Sequence, residues 1–177
     1  MIKIGLSSLT LIFMLTYQSA FSAEIKNNTD EVISFEGYHQ FGQARFSILF
    51  FDIYHSRLFI KNESFNQNSK PYIFEITYLK DITNKDLVER TIEQWQHLSV
   101  DKMRYQQYIP KLLTLWPNIT ASDKLALLVH DKKSVFYYNN RFLGEISDSE
   151  FGDLFLDIWL SPQTSQPKLR QQLLGIQ

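Results

Sequence analysis

Between residues 72 and 79 the chain alternates strictly, with Tyr72, Phe74, Ile76 and Tyr78 on one side and Ile73, Glu75, Thr77 and Leu79 on the other. A period of two predicts a strand with one apolar, aromatic face and one mixed face. Upstream, residues 44–60 are rich in Phe, Ile, Leu and Tyr with almost no turn signal. That composition predicts either two strands bent or bulged near Asp52 or a single long one. The polar stretch 61–71, carrying Asn62, Asn66, Asn68 and Ser69, is the expected loop before the alternating strand.

The period then changes. Thr83 is a good N-cap with Asp86 three residues on, and Leu87, Val88, Thr91, Ile92 and Trp95 fall on one helical face. A second helical stretch is expected from near Asp101, with Tyr105, Tyr108, Ile109, Leu112 and Leu113 inward and Pro110 forcing a kink or restart. Residues 124–129 and 134–138 read as a hairpin around Asp131-Lys132-Lys133, and an Asn139-Asn140 turn adds a further strand to Ile146. Ser147 and Glu150 have the spacing of a capping box for a helix facing inward through Phe151, Leu154, Phe155, Ile158 and Trp159. Pro167 opens a last short helix that Gly175 can terminate. Strands, two helices, more strands and two more helices describe an α+β domain: an antiparallel sheet with helices packed on one face.

Several short segments in this order resemble the bacterial exported branch of the chalcone-isomerase-like family. Asp52-Ile53-Tyr54-His55-Ser56-Arg57-Leu58 is similar to that family's Asp-Val-Tyr-x-Ala-x-Leu strand, and Tyr78-Leu79-Lys80-Asp81-Ile82 to its Tyr-Leu-Arg-Asp-Ile. Trp116-Pro117-Asn118-Ile119 with Ser122-Asp123, and Ile158-Trp159-Leu160-Ser161 before Pro167-Lys168-Leu169-Arg170, continue the likeness. The resemblance implies an open-faced β-sandwich, with any ligand held between the sheet and its helical layer.

Length and ends refine this picture. The 177 residues suit one domain preceded by a leader. Lys3, the apolar run over residues 4–17 and the small residues Ala20 and Ser22 predict a cleavable signal peptide over residues 1–22, leaving 23–177 as the domain. The run is shorter than the roughly 20 apolar residues of a bilayer span, so no stable membrane anchor is expected, and the location implied is the periplasm. With no cysteine, the chain carries neither a disulfide nor a lipoprotein acylation site. A net charge of −1 invites neither nucleic acid nor an anionic membrane surface.

Candidate chemistry is sparse. The resemblance implies an arginine, a threonine and a tyrosine around a developing enolate, where preset donors would stabilise charge. If Tyr54 matches the family's strand tyrosine, Leu49 stands where the threonine is expected, and leucine cannot donate a hydrogen bond. Arg45 could clamp a carboxylate or enolate bidentately, or could be a solvated strand-end cation. Tyr54, Tyr78, Tyr105 and Tyr108 could offer hydroxyls to a ligand, or could be core rings with backbone partners. The four histidines, His39, His55, His97 and His130, lack metal-ligand spacing, and no phosphate loop or dinucleotide fingerprint is present, so neither metal nor cofactor is expected. The first expectation is a non-catalytic, exported protein that binds a small apolar carboxylate such as a fatty acid through Arg45, Tyr54, Tyr105 and Tyr108. Its rivals are a lyase or isomerase acting on an enone or other enolisable carbonyl compound, and an envelope interaction module with no ligand.

Overall fold

A computed structural model describes residues 31–176; the expected leader over residues 1–22 lies outside them. Six strands form one sheet in sequence order, every neighbouring pair antiparallel. They are β1 (His39–Ile48), β2 (Phe51–Ile60), β3 (Tyr72–Tyr78), β4 (Lys124–Val129), β5 (Ser134–Tyr138) and β6 (Arg141–Ile146). The helices are α1 (Asn84–His97), α2 (Lys102–Tyr105), α3 (Ile109–Leu115), α4 (Phe151–Leu160) and α5 (Pro167–Leu174). This is the expected α+β arrangement.

The 44–60 stretch resolves into two strands joined by a two-residue turn at Leu49-Phe50, with Leu49 at φ +56°. Opposite Phe46 and Ser47 the register slips: Phe46 faces Tyr54 while Ser47 faces Asp52, so Ile53 is the extra residue of a bulge. The bulge lies beside Asp52, as the composition suggests. At the β5–β6 hairpin Asn139 and Asn140 both take positive φ, which suits a tight turn between twisted strands.

Helix ends follow local chemistry. Thr83 accepts from the Asp86 amide and caps α1. Pro110 lies in the first turn of α3 and makes the chain restart there instead of extending α2. Leu113, expected inward, is 44% exposed, because the restart turns it away from the sheet. The Ser147–Glu150 capping box does not form. Ser147 instead donates to Glu145, while Asp148 accepts from the Glu150 amide just before α4. Gly175, at φ +62°, closes α5.

The helices cover the face bearing Leu58, Ile60, Phe74, Ile76, Leu125, Leu127 and Phe136. Helix α4 lays Phe151 and Phe155 against Phe136, with ring centroids 5.9 and 5.8 Å apart, and Trp159 against Phe74 at 4.8 Å. The other face carries a smaller cluster of Ile73, Ala126, Val135 and Tyr137, part-covered by Ile33, Phe35 and Tyr38. Glu75 is buried on this face and pairs with Arg57, its cross-strand partner.

Candidate functional site

Strand alternation decides which side chains meet. Phe46 pairs with Tyr54 and Tyr54 with Tyr78, so all three point into the helical layer, their ring centroids 5.1 and 6.2 Å apart in sequence. From α4, Trp159 donates its Nε1–H to the Tyr54 hydroxyl at 2.8 Å. Burial pushes the Tyr54 phenol up to about 12, against which the Trp159 hydrogen bond works in the opposite direction. Burial likewise raises the Tyr78 phenol, with Tyr54 adding to the effect. Both phenols stay protonated at any physiological pH, so they can donate a hydrogen bond but cannot act as bases. Tyr54 accepts from Trp159 and keeps its own proton for an incoming acceptor.

Arg45 is not part of this group. It faces His55 across β1 and β2, one position out of phase with the Phe46–Tyr54 pair, and so projects from the opposite face of the sheet. There its Nη1 lies 3.0 Å from Asp52 Oδ2, with the side chain 58% exposed. The bulge at Ile53 brings Asp52 round to that face, where Ser47 also donates to it at 2.6 Å. The Ser47 hydrogen bond and the Arg45 charge hold the Asp52 carboxyl below its usual range, the former having the larger effect. Arg45 therefore has the surroundings of a solvated strand-end cation.

Tyr105 and Tyr108 stand elsewhere in the helical layer. Tyr105 stacks on Trp95 at 5.2 Å, and Tyr108 meets the edge of Phe151 and donates to Asp148 Oδ2 at 2.8 Å. The four expected ligand residues thus occupy separate surroundings and only Tyr54 joins the aromatic group. Leu49 is 85% exposed at the hairpin turn, so it neither lines the layer nor marks a vacated threonine position there. Trp159 and Phe46 are the residues that sequence reasoning left out. For Phe46 the signal was register, since it shares a face with Tyr54 only once the hairpin is closed at Leu49-Phe50, whereas the Trp159 contact comes from a helix 105 positions away.

The layer is well filled. Phe155 and Trp159 lie 5.3 Å apart in an edge contact, and Trp116 packs on Phe136 and Phe155 at 5.6 and 5.8 Å. Two shallow concavities of about 470 and 500 Å³ open elsewhere, one along α5 and one beside Tyr38 and Tyr137 on the far face. Among the described residues no group of three or more His, Asp or Glu side chains could hold a metal ion.

A 25% identical relative from Haemophilus influenzae, an uncharacterised protein, aligns over 141 residues, 80% of this chain and 70% of its own. A fatty-acid binding protein of Arabidopsis thaliana shares the fold with a TM-score of 0.60 at 9% identity, covering 81% of this chain and 89% of that one. The chalcone isomerase-like family model matches residues 39–175, from the first strand to the end of the last helix, and the chain belongs to that family.

Proposed function

We propose that the protein is an exported, periplasmic, non-catalytic member of its family that takes a small apolar carboxylate, such as a fatty acid, between the sheet and α4. The observation that carries this reading is the Tyr54–Trp159 hydrogen bond, which sets a polar group inside a largely apolar layer. An apolar site with a few convergent polar groups suits a ligand with one polar end. The Tyr54 hydroxyl proton would meet the carboxylate, and the rings of Phe46, Tyr78 and Trp159, gathered around Tyr54 in the free protein, would part to flank its chain. Arg170, half-buried and donating to the Leu160 carbonyl at 2.7 Å, brings a cation to the end of α4 next to Trp159. The fold's occurrence in a fatty-acid binding protein supports the ligand class by analogy.

Delipidated protein titrated with a labelled fatty acid should bind saturably. Tyr54→Phe should weaken binding about tenfold or more, the effect of losing a hydrogen bond to a charged group, whereas Arg45→Ala should leave it unchanged. Absence of saturable binding would favour an envelope interaction module without a ligand. The tight ring packing around Phe136, Phe155 and Trp159 is the observation that supports that second reading.

A further inference from the structure

The β1–β2 hairpin ends in four consecutive apolar residues that the described chain leaves more than half exposed. Ile48 is 53% exposed, Leu49 85%, Phe50 98% and Phe51 61%. Isolated exposed apolar side chains are ordinary, but a contiguous run on a projecting turn is not. The turn is also strained. Leu49 holds φ +56° at the first turn position, where glycine would sit without a steric penalty. An apolar side chain is thus kept where both its backbone and its exposure disfavour it.

We infer that this tip dips into the surface of a lipid bilayer. Four side chains present on the order of 500 Å², short of the roughly 800 Å² that each partner gives to a stable protein interface. A bilayer needs no complementary groove, only apolar groups with polar ones behind them, and a short apolar element buried a few ångströms deep binds reversibly. The residues behind the tip have that order. The Lys80 ammonium lies 5.6 Å from the Phe51 ring centroid, and Arg45, Ser47 and Asp52 follow along the strands. Because Asp52 neutralises Arg45, Lys80 is the one uncompensated charge among these residues, so apolar insertion and not attraction to anionic lipid is the main drive of the contact. Among the described residues no helix is long and apolar enough to cross a membrane, which leaves the tip as a peripheral contact. This inference stands whether or not the layer behind Tyr54 holds a ligand.

The test uses the full chain carrying Phe50→Trp, mixed with phosphatidylcholine vesicles brominated on their acyl chains. After subtraction of the wild-type signal, the indole introduced by Phe50→Trp should shift to the blue and be quenched by bromine, equally at low and high salt. A Leu49→Asn, Phe50→Asn double variant, with an unchanged circular dichroism spectrum, should partition at least about tenfold less. Emission from Phe50→Trp that ignores the vesicles would overturn the inference, even if the chain binds them through another segment. Equal partitioning of the double variant, binding confined to anionic vesicles and abolished by salt, or a blue shift that grows with protein concentration without lipid would overturn it as well.

Discussion

Trp95→Ala should lower the free energy of unfolding by about 3–5 kcal/mol, the range for removing a fully buried tryptophan. Trp95 is 0% exposed and stands where three helices meet: it projects from α1, stacks on Tyr105 of α2 and donates Nε1–H to the Leu154 carbonyl of α4 at 2.9 Å. Truncation would open a cavity and also remove the cross-helix hydrogen bond to the Leu154 carbonyl. Domains are typically stable by only about 5–15 kcal/mol, so this one change consumes a large share. Urea unfolding should show the loss as a lower midpoint at an unchanged slope. Trp95→Phe should cost less, because most of the volume is kept while the hydrogen bond is lost. A loss below about 1 kcal/mol for the alanine variant would mean that the α1–α4 seam does not depend on this ring.

Gly42→Ala is expected to be nearly as damaging for a different reason. A Cβ at Gly42 would lie 2.0 Å from the Leu173 carbonyl oxygen and 2.6 Å from its carbon. Both are backbone atoms of α5, so no side-chain rotation relieves the clash and the helix must move off β1. Overpacking of this kind costs about 1–3 kcal/mol, and displacement of Leu169 and Leu173 from the core puts the expected loss at or above the upper end. Gly175→Ala is the matched control. Nothing lies within 4 Å of its Cβ position, so only the left-handed backbone at φ +62° is penalised, by about 1–2 kcal/mol. Hydrogen exchange separates the two: Gly42→Ala should deprotect the amides of α5 along its length, and Gly175→Ala only its last turn. Equal, small effects would show that α5 tolerates being lifted from the strand.

Elements whose signals are local could be read from the sequence, and those that depend on distant partners could not. The β5–β6 hairpin was legible because Asn139 and Asn140 tolerate the positive φ that its turn requires. The β1–β2 turn was hidden because Leu49-Phe50 has none of that chemistry. The start of α4 was misread for a similar reason. Ser147 and Glu150 have capping-box spacing, yet Asp148 engages the Glu150 amide and ties Tyr108 down as well. At the candidate site, the aromatic face of β3 was plain from alternation, and Tyr54 lies on the same face of the sheet. Arg45 was placed wrongly relative to it, since one residue of register separates the two faces of a sheet and only the closed hairpin reveals which face is which. The Trp159–Tyr54 contact spans 105 positions in the chain, beyond the reach of any local pattern.

In the proposed binding mode the helical face of β2, and not the face bearing Arg45, receives the ligand. The most direct measurement is the indole Nε1–H resonance of Trp159 in delipidated, ¹⁵N-labelled protein during titration with a medium-chain fatty acid. This resonance should move saturably together with the amides of Phe46, Tyr54 and Tyr78, while the guanidinium signals of Arg45 and Arg57 stay in place. Saturable shifts at Arg45 with an unmoved Trp159 indole would contradict this binding mode, as would a spectrum that the fatty acid leaves unchanged.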